Sequence, residues 1–496
     1  MKKFLACVAA LSAACITFAA CSSMGAGPDS YAPDAGSGFF DDAENDGSYI
    51  HDSIKEIGFE SVSKQPSSYF SLDRNTATYS IVRSQLENGY KVEEDAVRIE
   101  EMINYFDYGF AAPEDKSVSV STALSACPWN EENKLMLVGL KTKEFVTENA
   151  NANYVFLVDV SGSMSGDKRL GLAKKGLNLL FDGLGENDVV SIVTYASGVK
   201  TVLDGGECSE SGKEKIRKAV SSLTASGATN GGDGLERAYK IAENRFITGG
   251  NNRVIIISDG DFNVGMSSTT ELKEFIQNKA QSGIYLSVLG VGMGNMRDDI
   301  LETLATCGNG NYAYLDSEKE AQKVFCDELK GNLYVVAKDA KAGVTFTNNV
   351  AEYRLIGYDA KRISEDDFNN EKTDTGEIGS NLCVAALYEI KLADGAEGKL
   401  ADAEIKYKDV LSGTEKSESV SKAVNYDDSS TDDLAFITCV AEFGLILRNS
   451  AYKGTASISS VLGRLDALSG YIENDIYKQE FVALVGKASE SRYYKK

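Results

Sequence analysis

Histidine is almost absent from this chain: one occurs in 496 residues. It is His51, in a stretch rich in Gly, Asp and Ser, so a histidine-based catalytic triad or a histidine-ligated zinc site in the folded body has no residue to use. Basic residues are also under-represented, with 51 Lys and Arg against 74 Asp and Glu and a formal net charge of −23. That balance argues against nucleic acid and anionic lipid as partners. None of the nine cysteines, at 7, 15, 21, 127, 208, 307, 326, 383 and 439, belongs to a CxxC pair, and their spacing matches no disulfide framework or metal cluster. The last six read as buried thiols, with a Cys307–Cys326 bridge as the alternative that export would permit. Long apolar runs are missing too. The uncharged stretch from Phe4 to Ala20 spans 17 residues and ends in Ala-Ala-Cys, which reads as a cleaved export signal rather than a membrane-spanning helix.

Residues 1–20 are therefore expected to be a signal peptide. FAACSS resembles the bacterial lipobox, with Phe18 where an aliphatic residue is usual, and the resemblance implies that Cys21 carries lipid; Cys15 is the competing site. Residues 21–60, poor in aliphatics, read as a lipid-anchored flexible tether with a span of about 30 Å between Ser22 and Ser48. Removing residues 1–20 takes away Lys2 and Lys3 and no acid, which moves the net charge from −23 to −25. The expected location is the bacterial cell envelope, on a membrane surface.

The body is organised around NYVFLVDVSGSMSGDKRL, Asn153 to Leu170. An apolar run of β-formers, Tyr154 to Val158, ends at Asp159, Ser161 and Ser163, and a helix from Lys168 to Leu180 follows with Leu170, Ala173, Leu177 and Leu180 on one face. Oxygen donors thus fall where a parallel strand hands over to a helix, the place where α/β sheets bind ligands. Hard oxygens of this kind suit Mg²⁺. Two distant pieces share the character: SGATNGGDGLERAY, with Thr229 before a helix, and NRVIIISDGDFNVG, a second apolar strand ending in Ser258 and Asp259. Taken together, DxSxS at Asp159, Ser161 and Ser163, Thr229 in GATN and Asp259 in SDG resemble the metal-ion-dependent adhesion site of the von Willebrand factor type A (VWA) domain. The resemblance implies that Ser161, Ser163 and Thr229 contact Mg²⁺, or Mn²⁺ as the alternative, while Asp159 and Asp259 act through waters or orient the hydroxyls. Neutral ligands would leave the dication's charge uncompensated, so an open position would attract a carboxylate.

Strands near 154, 189, 254 and 284 alternate with helices near 168, 213, 233, 270, 298 and 318, which predicts a doubly wound, mostly parallel sheet over residues 151–332. GVGMGN at Gly290 lacks the glycine spacing of a dinucleotide fingerprint, and DGDFNVG lacks the Gly and Glu of a calcium loop. Residues 61–150 read as two short helices and then two half-buried strands, Ser117–Ser125 and Leu135–Lys141. Residues 333–415 are β-rich, and 430–496 helical with apolar residues at three- and four-residue spacing. Strands from both sides of the central unit are expected to share one β-sandwich into which the α/β unit is inserted. AVRIEEMINYFDYGF, ACPWNEENKLMLVGLK and YRLIGYDAKRISEDDFNNEKTDTGEIG are similar to bacterial YfbK-like VWA lipoproteins, and the similarity extends from about Ser68 onward. Where that family reads Asp-x-Asp-Thr, this chain has Asp73, Arg74, Asn75 and Thr76.

The function these features imply is binding, not catalysis: an envelope lipoprotein whose metal captures an acidic residue of a protein partner. The alternative is a metal-dependent envelope hydrolase, since Mg²⁺ can polarise phosphate or carbonyl oxygens. No nucleophile or general base stands beside the motif, and a phosphoaspartate enzyme would want a second Asp at Ser161. VWA domains, by resemblance, can move the last helix of the unit, here Ser317 to Leu329, when ligand binds.

Overall fold

Three β-sheets organise the chain in a computed structural model that describes residues 53–72, 74–144, 151–228, 232–260, 269–292, 298–328, 335–373, 375–411 and 415–495. The expected signal peptide, Cys21, His51 and Thr229 lie outside the described residues, as does most of the tether. All described residues fall in one unit, Asn45–Lys496.

In chain order, the first run is β1 (Glu60–Ser61), β2 (Ser67–Ser71), α1 (Ala77–Glu87), α2 (Ile99–Asn104), β3 (Val118–Ala126) and β4 (Asn133–Thr142). The α/β run follows: β5 (Ala152–Asp159), α3 (Leu172–Gly183), β6 (Val189–Tyr195), β7 (Val199–Glu207), α4 (Glu210–Ser221), α5 (Gly232–Asn244), β8 (Asn251–Ser258), α6 (Thr269–Gln281), β9 (Ile284–Val291), α7 (Asp298–Cys307), β10 (Tyr312–Leu315) and α8 (Glu318–Gln322). Next come β11 (Val335–Phe346), β12 (Val350–Ile356), β13 (Gly376–Gly379), β14 (Cys383–Leu392), β15 (Lys399–Asp409) and β16 (Lys416–Asn425), then helices Asp432–Leu447, Ile458–Ala467 and Ile476–Glu490.

The central sheet has the order β10-β9-β8-β5-β6-β7, parallel except for the β6–β7 pair at one edge. Its middle strands are wholly buried because helices cover both faces. Tyr154, Phe156 and Val158 meet Leu177 and Phe181 on one side, while Val155 and Leu157 meet Leu235 and Tyr239 on the other. Each such side chain contributes about 1.5–3 kcal/mol by leaving water. From β5 the chain steps to β6 on one side and later returns to β8 on the other, so the switch point lies at the C-terminal ends of β5 and β8.

Around this unit, strands from before and after it build a sandwich. One sheet runs β1-β12-β14-β4-β3; the other runs β13-β11-β15-β16, with β2 also paired to β11. Met136, Val138, Leu140, Val344, Phe346, Val384, Tyr388 and Ile405 fill the space between them. The α/β run is therefore inserted between two strands that belong to the sandwich, as the pattern of apolar segments predicts. One expectation changes. β4 is buried on both faces, not half-buried, and so is its neighbour β14, because Leu135, Leu137, Ala385 and Leu387 pack under Met102, Phe106, Val440 and Phe481. Helix Asp432–Leu447 is apolar on all sides for the same reason: it lies inside this second core, with Thr431 capping its start by accepting the Leu434 N–H. Helix α1 joins two cores, turning Tyr79 and Val82 to the helical layer and Ala77 and Ile81 to the central sheet. No helix among the described residues is long and apolar enough to cross a membrane.

Candidate metal centre

Asp159 is the last residue of β5 and is fully buried, so its carboxylate must be held by neighbours. The Ser161 N–H donates to its Oδ1 at 2.8 Å, and the Ser258 hydroxyl donates to Oδ2 at 3.3 Å. Tyr195, opposite Asp159 in the parallel register of β5 and β6, is buried beside it. After Val160 the chain makes a tight 3₁₀ turn, Gly162–Met164, that drives Met164 into the core. With Met164 fixed, the turn brings the buried Ser161 and the exposed Ser163 together, their Oγ atoms 2.9 Å apart.

The loop before Thr229 is tied to this turn. Ser226 N–H donates to the Val160 carbonyl at 2.7 Å and Gly162 N–H to the Gly227 carbonyl at 2.9 Å. Gly227 has φ +87°, and a Cβ there would lie 2.5 Å from Ser197 Oγ, the atom that accepts the Ala228 N–H; only glycine serves. The backbone leading to Thr229 is thereby anchored beside Asp159, while Thr229 itself lies outside the described residues.

Asp259 follows β8 directly and is 6% exposed. Two carboxylates thus share one buried edge. Burial pushes the Asp159 carboxyl up to about 6, and the charge of Asp259 adds to that; the Ser161 N–H, the Ser161 side chain and Tyr195 oppose it. The positive charge nearby belongs to Arg169, whose Nη1 donates to the Ser163 carbonyl and stands 3.7 Å from Asp259 Oδ2. Arg169 sits in a wide turn, Asp167–Gly171, that closes with Gly171 N–H on the Gly166 carbonyl at 3.0 Å, five residues back. The expected helix from Lys168 is therefore π-helical in its first turn and α-helical from Leu172.

These residues fit a small hard dication. The 2.9 Å between the two hydroxyl oxygens matches adjacent corners of an octahedron with bonds of about 2.1 Å, as Mg²⁺ requires. A buried carboxylate whose carboxyl is pushed up by desolvation is the group whose ionisation a bound cation would favour. Of the five residues singled out from the sequence, Asp159, Ser161, Ser163 and Asp259 are brought together at the switch point. Three more stand at the same place: Arg169 and Tyr195, which were not singled out, and Ser258, which was read only as a strand end. Tyr195 ends a strand in register with β5, and Ser258 precedes Asp259 in SDG, so strand alignment points to both. The wide turn that places Arg169 has no sequence signature beyond Gly166.

A Rossmann-like sheet with hydroxyls and buried carboxylates at its switch point defines a VWA-type α/β fold, one that often binds metal at such a site for protein interactions. Residues 154–261 match the family model described as von Willebrand factor type A domain, and residues 45–137 match the one described as von Willebrand factor. Residues 331–422 and 396–490 match the model of the YfbK C-terminal region. The chain belongs to the YfbK family: it is 34% identical over 470 residues to "Uncharacterized protein YfbK" of Escherichia coli, covering 89% of this chain and 81% of that one. Inter-alpha-trypsin inhibitor heavy chain H3 of Mesocricetus auratus is 27% identical over 276 residues, which is 53% of this chain and 30% of that protein. Among solved structures, the von Willebrand factor type A protein from Catenulispora acidiphila aligns with TM-score 0.41 and 17% identity over 73% of this chain and 88% of that one.

Proposed function

We propose that this chain is an envelope protein, exported and lipid-anchored at Cys21, that binds Mg²⁺ or Mn²⁺ and uses it to capture an acidic residue of a protein partner. It is read as a binding protein and not as an enzyme. Ser161, Ser163 and Thr229 would supply hydroxyl ligands, with Asp159 and Asp259 beside them. The bound ion would offer uncompensated positive charge to an incoming carboxylate. The observation that supports this best is the pair of hydroxyl oxygens 2.9 Å apart on a turn held by a buried carboxylate at the sheet's switch point. This chain's residues do the orienting: Asp159 fixes the turn through the Ser161 N–H, and Met164 prevents it from rolling inward.

The test is a calorimetric Mg²⁺ titration of the chain from residue 22, repeated with Ser161→Ala combined with Ser163→Ala. One site is expected in the parent and none in the double variant, with unchanged circular dichroism in both. Equal binding by the two proteins would overturn the assignment.

A further inference from the structure

Arg169 looks at first like a partly exposed surface residue, since 29% of its side chain is accessible. Three separate features show that its position is built. The wide turn Asp167–Gly171 is anchored directly after the arginine by buried Leu170 and, at the start of α3, by buried Leu172. Gly292, just past β9 with φ +85°, leaves a slot for the side chain; a Cβ there would lie 2.6 Å from Arg169 Nε and 2.7 Å from its Cγ. The wall of that slot is held by the Tyr314 hydroxyl, which donates to the Gly292 carbonyl at 2.5 Å. The guanidinium so guided spans the Ser163 carbonyl and the Asp259 carboxylate, which belong to different segments of the candidate metal centre.

We propose that Arg169 is a resident counter-cation that competes with the divalent metal: it balances Asp259 when the metal is absent and sets how much metal is needed to load the site. This rests on the reading of the site as a metal centre. The physical reason is charge balance. Two buried carboxylates without a cation are costly, and one guanidinium offsets part of that cost. A dication brought to the same carboxylates is repelled by the arginine at short range, where screening by salt is weak. The metal must therefore displace or tolerate Arg169, and affinity falls by the free energy that the arginine contributes to the metal-free state. A protein with such a competitor stays folded with its site closed at low divalent concentration and loads only where the ion is plentiful.

The test uses the chain from residue 22 with Mg²⁺ alone, comparing the parent, Arg169→Gln and Arg169→Lys by calorimetry and by thermal unfolding in EDTA and in saturating Mg²⁺. Arg169→Gln is expected to bind Mg²⁺ on the order of tenfold more tightly. It should be less heat-stable than the parent in EDTA and equally stable in saturating Mg²⁺, with Arg169→Lys between the two. Unchanged or weaker Mg²⁺ binding by Arg169→Gln, or an equal loss of stability in both buffers, would overturn the proposal and make Arg169 an ordinary structural residue. If neither parent nor variant binds Mg²⁺, it is the metal reading itself that fails.

Discussion

Asp159→Asn should stabilise the metal-free protein at neutral pH and lose that advantage in acid. In the fold the Asp159 carboxyl is pushed from 3.8 to about 6, chiefly by burial, so between those values the native state holds a proton that the unfolded chain releases. Stability from this group therefore falls as pH rises through that window, and the penalty is complete above pH 6. A shift of this size corresponds to about 3 kcal/mol at pH 7.5, about 1.6 at pH 5 and about 0.5 at pH 4. Asparagine keeps the acceptor for the Ser161 N–H but turns an NH₂ toward the Ser258 hydroxyl, which costs about 1 kcal/mol. The variant should then gain about 2 kcal/mol in EDTA at pH 7.5, or about thirtyfold slower amide exchange, and nothing near pH 4.5. Hydrogen exchange read by mass spectrometry over 152–159 and 251–258 measures this locally, with intrinsic rates cancelling between proteins at one pH. A difference that does not change with pH, or a variant less protected at pH 7.5, would show that Asp159 is comfortably ionised without metal and refute the electrostatic account.

Arg83 is 3% exposed and donates to Asp316 and Glu320 at 2.5 to 2.7 Å, to the Tyr105 hydroxyl at 3.1 Å and to Glu480. Arg83→Met should cost about 3–5 kcal/mol by leaving those carboxylates buried without their cation, seen as earlier thermal unfolding of Trp129 fluorescence; a loss below about 1 kcal/mol would mean that the pairs are solvated. Burial pushes the thiols of Cys127 and Cys208 up to about 12 and also raises those of Cys383 and Cys439, so iodoacetamide at pH 8 should spare all four in the native protein. Cys307 and Cys326, both half-buried, should react, with mass spectrometry reading the sites. Modification of Cys439 ahead of Cys307 would contradict the packing of helix Asp432–Leu447.

The central sheet was legible because β5 and β8 carry the apolar runs Tyr154–Val158 and Val254–Ile257, as strands covered on both faces do. The oxygen donors were legible because they follow those runs directly. Other elements were hidden for physical reasons. β16, KSESVSKAVN, lies at a sheet edge with one thin apolar face, Val420 and Val424, too sparse for alternation to stand out. Strand β2 is SSYFS and owes its place to pairing with β11, a long-range contact that local pattern does not encode. The double burial of β4 and β14 depends on α2, which precedes β4, and on helices that begin forty residues after β14 ends. The half-buried Cys307 and Cys326 are thiols, not a bridge.

The segment after β10 decides how far an event at the metal centre can travel. Ser317 caps α8 by accepting the Glu320 N–H, and a wider turn, Lys323–Glu328, continues it. Glu320 is 1% exposed and accepts from Arg83 at 2.7 Å and from the Tyr105 hydroxyl at 2.8 Å. Lys323, also buried, pairs with Glu328 and lies over the rings of Tyr105 and Tyr477, and Glu328 also takes Arg74 at 3.2 Å. Sliding this segment past α1 and helix Ile476–Glu490 would strand several buried charges. Losing one partner of a buried pair costs about 3–5 kcal/mol, whereas coupling between sites typically amounts to about 1–3 kcal/mol. The clamp therefore holds, and the helix motion that the VWA resemblance implies is not expected here. Adding Mg²⁺ should slow exchange at 159–164 and 226–228 and leave 318–328 unchanged. A metal-dependent change across 318–328 would mean that these buried charges have a second arrangement of nearly equal energy, and the site would then be coupled to the C-terminal helices after all.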